Sequence, residues 1–206
     1  MIDKFCDFIT EKIKKNIENL DEEKIMVIDF GVRLLFGELP KILILILLGF
    51  LFQIGWYTIF LFLLLAPYRS FTGGFHLKTH LGCMISTTAL YMGPILLAKY
   101  FSILQDFTFY IMTIIVGIFS SILISKYAPA DTENIPILSK KERKSKKIKA
   151  YIALAILIVI SIFMPDRVIS HMLIYGVFLQ NLTITPIAYK LTNCKYGYEE
   201  YIEETY

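Results

Sequence analysis

From Ile42 onward the chain alternates long runs free of Asp, Glu, Lys and Arg with short charged connectors. Five runs stand out: Ile42–Ala66, Thr79–Ala98, Phe107–Ser125, Ala150–Pro165 and Val168–Tyr189, of 25, 20, 19, 16 and 22 residues. A helix needs about 20 apolar residues to cross about 30 Å of hydrocarbon, so these runs predict membrane-spanning helices. They are continuously apolar, not alternating, which excludes a transmembrane β-barrel. Upstream the pattern changes. Ile2, Phe5, Cys6, Ile9, Ile13, Ile17 and Leu20 recur at helical spacing with acids and lysines between them. They predict an amphipathic helix lying in the membrane interface or packed on the protein. Asp21 is placed to cap a second helix running to about Phe36, which Pro40 ends or kinks.

The first apolar run has two readings. As one helix Ile42–Ala66 would extend about 37 Å. Broken near Gln53–Gly55 it forms two shorter helices in a hairpin, and this reading is preferred. The expected fold is therefore all-α. It is a single polytopic membrane domain over residues 1–206, with about six hydrophobic helices and an amphipathic N-terminal region at 1–37.

Composition agrees. The chain is 56% hydrophobic and 19% charged, against about 45–50% and 25% in soluble domains. A soluble globular domain and a disordered chain are excluded. Three cysteines, Cys6, Cys83 and Cys194, with no CxxC pair do not make a disulfide framework. The opening MIDKFCDFITEK lacks the basic and apolar regions of a cleaved signal peptide.

Charge distribution sets the topology. Lys126–Lys149 carries eight basic and three acidic residues and is expected on the cytoplasmic side. Counting crossings backwards places Pro67–Gly82 inside and Ser102–Asp106 outside. Counting forwards places Pro165–Arg167 outside and the tail from Lys190 inside. The first 41 residues are too mixed in charge to choose a side, and the hairpin puts them inside. A basic cluster between two membrane segments excludes nucleic acid as a partner.

The chemically dense stretch is Tyr68–Cys83, YRSFTGGFHLKTHLGC, at the predicted cytoplasmic boundary. His76 and Cys83 are seven residues apart. In one unbroken helix they would sit about 10.5 Å apart along the axis and could not bond. Gly82 can break the helix and place Cys83 near the N-terminus of the next one. A helix N-terminus favours a thiolate, and a neighbouring imidazole can serve as base and then acid. Against this stands the plain reading of a small apolar residue and a solvated loop histidine. A metal reading also remains open, because His76, His80 and Cys83 at i, i+4 and i+7 would share a helical face. No fourth ligand is near. Gly73-Gly74 reads as a backbone turn or a close approach for a substrate chain. Arg69 reads equally as a ligand for lipid phosphate or for a substrate carboxylate.

The pattern Arg69, Gly74, His76 and Cys83, with six residues between the last two, resembles the accessory gene regulator B (AgrB) family. The block Tyr127-Ala128-Pro129 to Pro136-Ile137, the amphipathic start, the chain length and the order of spans match too. Asp131 and Glu133 depart from the family's more basic loop.

The resemblance implies a cysteine endopeptidase of the inner membrane face that cuts a precursor peptide, AgrD, on the way to a cyclic thiolactone quorum-sensing signal. Cys83 is then the nucleophile and His76 its base, with Arg69, Gly73 and Gly74 binding substrate or shaping the site. Neither metal nor cofactor is expected. The expected partners are an AgrD-like precursor, membrane lipid and a second copy in a homodimer.

Oxyanion donors are expected from the amides of Gly82–Met84. Asp131 is the acid best placed to assist, read here as an exposed turn residue. Lys140–Lys147 is read as a topology determinant touching anionic lipid that can also attract an acidic peptide tail. Cys6 and Cys194 are read as bystanders and His171 as a packing residue. A peptide transporter and a non-enzymatic scaffold are the competing classes. The first would need more polar residues along the spans, and the second leaves the His76–Cys83 spacing without purpose.

Overall fold

Helix starts in this chain follow the polar residues able to cap them. In the computed structural model Asp166 accepts the amides of Val168 and Ile169, Thr185 accepts that of Ala188, and Ser139 that of Glu142. The structure describes residues 2–16, 21–77, 79–101, 106–133, 136–137 and 139–197. Residues 17–20 of the predicted first helix, 102–105 of the predicted outer turn and the acidic tail beyond 197 lie outside the described residues. The described residues are helical almost throughout, and the chain divides into two compact units, Met1–Gly55 and Trp56–Tyr206.

The first unit holds α1 (Ile2–Asn16), α2 (Glu22–Arg33) and α3 (Leu39–Leu51). Cys6 and Thr10 turn one face of α1 inward, while Glu11, Lys12, Lys14 and Lys15 are exposed. The Thr10 hydroxyl donates to Asp29 on α2 at 3.1 Å. Asp21 stands directly before α2, and its carbonyl accepts the Ile25 amide at 3.1 Å, as expected of a cap. Regular helix α2 stops at Arg33, and Pro40 follows the interruption expected around it. It sits in the first turn of α3, where its missing N–H costs nothing. The wide π turn Leu34–Glu38 just before it relieves the clash of the proline ring with the carbonyl of Phe36, four residues earlier. The run Ile42–Ala66 is broken, as preferred above. Gln53 takes a left-handed φ of 57° between α3 and α4.

The second unit holds α4 (Gly55–Thr72) from its second residue on, α5 (His80–Phe101), α6 (Asp106–Tyr127), α7 (Lys140–Phe163), α8 (Arg167–Leu182) and α9 (Pro186–Leu191). Helix α8 is its centre and packs on α5, α6 and α7. Met172, Leu173, Ile174 and Val177 are wholly buried there, and Gly176 lets Leu61 and Leu65 of α4 approach closely. A helix apolar on every face belongs inside a bundle. The outer faces of α6 and α7 are apolar too, through Ile111, Ile114, Ile118, Ile152 and Ile156.

Of the six apolar helices α3–α8, those carrying Leu81–Tyr100 and Phe107–Tyr127 are long and apolar enough to cross a membrane. Helix α3 has 13 residues and α8 has 16, and α7 spends its first turns on lysines and arginine. The predicted basic loop 126–149 is also not a loop throughout. Residues 128–132 are buried, and α7 begins at Lys140.

Candidate functional site: a glycine bridge before Cys83

Helix α4 ends where its sequence turns to glycine. The Gly73 amide makes a last bond of 2.8 Å to the Arg69 carbonyl. Gly73 and Gly74 then take φ of +76° and +142°, a region that residues with a Cβ avoid. The chain next pairs with the turn after α6. Ala130 donates to the Thr72 carbonyl at 2.8 Å and accepts from Gly74 at 2.9 Å. A Cβ on Gly73 would collide with the Ala130 carbonyl oxygen, and one on Gly74 would lie 2.6 Å from Thr183 Oγ1. Both glycines are there for backbone approach.

Arg69 and Gln180 lock this bridge. Arg69 Nη1 donates to Gln180 Oε1 at 2.8 Å, and Nη2 donates to the Phe75 carbonyl at 3.2 Å. Gln180 Nε2 in turn donates to the Gly73 carbonyl at 2.8 Å and to Thr72 Oγ1 at 3.0 Å. Beneath them Asn181 Nδ2 donates to the Tyr68 hydroxyl at 2.7 Å and to the Val177 carbonyl at 2.8 Å. These bonds give Arg69 a part in shaping the site. It spends donors on the segment that carries His76. Tyr68→Phe is expected to lower stability by only about 1 kcal/mol, because Asn181 keeps its Val177 partner. Thermal melting of the detergent-solubilised protein checks this.

His76 is exposed, outside any helix, and Cys83 is half-buried in the first turn of α5. The break lies earlier than Gly82. Thr79 starts the helix, taking the Gly82 amide on Oγ1 at 3.1 Å and the Cys83 amide on its carbonyl at 2.9 Å. Two of the expected oxyanion amides are thus already engaged. The shared helical face assumed for a metal is lost, because α5 starts only at His80. The His80 side chain is outside the described ones. Among the described residues no group of three His, Cys, Asp or Glu side chains could hold a metal.

Three further expectations change. Cys194 is no bystander, since its thiol donates to the His76 carbonyl at 2.9 Å. Asp131 is no exposed turn residue. It is 5% exposed and paired with Arg143 at 3.0 Å. The basic run is also partly spent. Arg143 serves Asp131, Lys146 pairs with Glu142 at 3.1 Å, and Lys147 donates to the Ser125 carbonyl at 2.6 Å. Lys140, Lys141 and Lys144 stay exposed. His171 packs on the Phe109 ring with centroids 4.7 Å apart, as expected of a packing residue. Sequence reasoning missed Gln180 and Thr183 as site residues. The signal was there in Gln180-Asn181, a polar pair inside an apolar run.

The described residues form an all-helical, apolar protein with a cysteine on the first turn of one of the two helices among them that are long and apolar enough to cross a membrane. A family model described as accessory gene regulator B matches residues 6–184. The chain belongs to the AgrB family. It is 29% identical over 188 residues to the accessory gene regulator protein B of Staphylococcus intermedius, covering 91% of this chain and 95% of that one. It is 25% identical over 196 residues to an AgrB-like protein of Clostridium acetobutylicum, covering 95% and 91%. It is 28% identical over 192 residues to one of Listeria welshimeri, covering 88% and 87%. No solved structure matches it.

Proposed function

We propose that this chain is a multi-pass membrane cysteine endopeptidase. It cleaves the C-terminal part from an AgrD-like precursor and passes the remainder on toward a cyclic thiolactone signal. The observation that carries the reading is the position of Cys83. It stands on the first turn of a long apolar helix, directly after a segment bearing His76 that is fixed by Arg69, Gln180 and the Ala130 bridge. A helix N-terminus favours an anionic sulfur.

In the proposed sequence His76 takes the thiol proton. Cys83 Sγ attacks the scissile carbonyl, the C–N bond breaks, and the leaving amine takes the proton from His76. The peptide is left as a thioester on Cys83. A cysteine of the bound peptide then attacks that thioester and closes the ring, returning the Cys83 thiol. The second step exchanges one thioester for another and needs no nucleotide. No GxxxxGK[ST] motif is present in the sequence. The first step is uphill and is drawn forward by loss of the fragment and by exclusion of water from the acyl-enzyme.

Membrane residence is supported by the two long apolar helices and by the outward apolar faces of α6 and α7. The positive-inside rule then puts the basic start of α7, and with it Cys83, on the cytoplasmic side. Lys140, Lys141 and Lys144 remain for an acidic peptide tail or for anionic lipid.

The test is co-expression with short precursor peptides encoded beside the gene, reading the released C-terminal fragment by mass spectrometry. Wild type is expected to release it. His76→Ala and Cys83→Ala, present at equal abundance in the membrane, are not. Release by Cys83→Ala would sink the assignment.

A further inference from the structure

The turn after α6 has a node that the proposed chemistry does not use. Asp131 lies between α7, α9 and the glycine bridge, and its side chain has no exposed surface. A carboxylate taken fully out of water needs a cation or several donors. Asp131 has both on one oxygen. Oδ2 accepts Arg143 Nη1 at 3.0 Å and the Ile137 amide at 2.9 Å. Oδ1 is buried with no partner among the described residues. Arg143 Nη2 also donates to the Pro129 carbonyl at 3.1 Å. The Asp131–Arg143 pair therefore fixes both the side chain and the backbone of the 129–131 turn.

That turn holds the His76 segment from two directions. On one side Ala130, the neighbour of Asp131, makes both bonds of the bridge to Thr72 and Gly74, two residues before His76. On the other side the Tyr189 hydroxyl donates to the Asp131 carbonyl at 2.8 Å. Five residues past Tyr189 the Cys194 thiol donates to the carbonyl of His76 itself. Among the described residues, the charged and titratable groups bonded to Asp131 are Arg143 from α7 and Tyr189 from α9.

We infer that Asp131, held by Arg143, is a positioning residue that sets where His76 stands relative to Cys83. The inference rests on the proposed Cys83–His76 pair. Asp131 touches neither substrate nor thiol in this role. It acts through the backbone of residues 72–76 and through the Tyr189–Cys194 segment. Arg143, in a run that looks like a plain basic patch, then belongs to the site and not to a partner surface.

The test uses the purified full chain in detergent with a precursor that wild type cleaves. The variants are Asp131→Asn, Arg143→Gln, the double variant, Tyr189→Phe and His76→Ala. Asp131→Asn keeps the backbone carbonyl and the shape, removes the charge and turns one acceptor oxygen into an NH2 donor. Two readouts are taken. One is kcat and KM for cleavage. The other is the rate at which iodoacetamide alkylates Cys83 at neutral pH, read at the peptide level, which needs no precursor.

Asp131→Asn and Arg143→Gln are each expected to lower kcat about 10- to 100-fold with KM within about threefold, the signature of misplacement without lost binding. The double variant is expected to fall no further than Asp131→Asn. Cys83 alkylation is expected to slow toward the His76→Ala rate in all three. Tyr189→Phe moves both readouts the same way by less. Unchanged kcat and alkylation in a folded Asp131→Asn overturns the inference, as does a change confined to KM. If Asp131→Asn fails to fold, unchanged alkylation in Tyr189→Phe overturns it instead. If His76→Ala alkylates as fast as wild type, the Cys–His pair itself falls and takes this inference with it. Slow His76→Ala with wild-type Asp131→Asn removes the positioning role alone.

Discussion

Cys83→Ser is expected to release the C-terminal fragment at less than about a thousandth of the wild-type rate, a loss typical of a deleted nucleophile. The substitution changes one atom on the first turn of a helix whose start is fixed by Thr79. With the helix start held there and the replacement nearly isosteric, the loss reads chemistry. An imidazole can carry a thiol proton easily at neutral pH, whereas a serine hydroxyl needs a far stronger drive. Sulfur also matters after acylation. From a Cys83 thioester, attack by a peptide thiol exchanges like for like. From a serine ester the same attack runs uphill. Whatever residual acylation Cys83→Ser retains should therefore stall as a covalent ester, visible by intact mass, with no ring formed. His76→Ala is expected to lose less, about 10²- to 10⁴-fold, as for other general bases. Fragment release timed with purified protein separates the two variants. A Cys83→Ser rate above a tenth of wild type would place the nucleophile elsewhere.

How much of this was legible from residues alone divides along a physical line. Local signals carried through. Asp21 before α2 and the break at Gln53 both follow from backbone preferences within a few residues. The two long apolar helices follow from hydropathy alone. Gly73-Gly74 was legible as a backbone turn and Arg69 as shaping the site, yet their partners were hidden, because Ala130 and Gln180 are distant in sequence. The fate of Asp131 illustrates the same limit. A carboxylate in a turn beside prolines reads as solvated, and nothing near it in sequence says that Arg143, twelve residues on, will follow it into the interior. Cys194 was invisible for the same reason, 118 residues from His76. Pro40 was read as ending or kinking the second helix, and the π turn Leu34–Glu38 interrupts the helix just before it; the form of that interruption is what no residue pattern announces. Gly82 was given the break that Thr79 makes, since a glycine looks like a breaker while a threonine three residues before it acts as the cap.

That last difference yields an ordering of glycine variants. Gly73→Ala is expected to destabilise the protein by about 4 kcal/mol and to abolish cleavage. Roughly 1–2 kcal/mol comes from holding alanine at positive φ. The rest comes from the Ala130 carbonyl, which the new methyl displaces. The obstacle is backbone and cannot rotate away, so both bridge bonds between Thr72, Gly74 and Ala130 are lost, each about 1 kcal/mol or more when left buried and unmade. The His76 segment loses its register at the same time. Gly82→Ala should be mild, about 1 kcal/mol at most. Its Cβ meets the Thr79 hydroxyl at 2.7 Å and the Leu77 Cδ1 at 3.2 Å; both are side-chain atoms, so what is lost is the Thr79 cap bond and not the backbone. Gly31→Ala, inside α2 with nothing within 4 Å, should be neutral or stabilise by about 0.5–1 kcal/mol through helix propensity. Melting temperature and fragment release measured on the three variants give the ranking Gly73, then Gly82, then Gly31. If Gly82→Ala were the most damaging, the break would belong at Gly82 after all, and the bridge to Ala130 would not be what holds His76 in place.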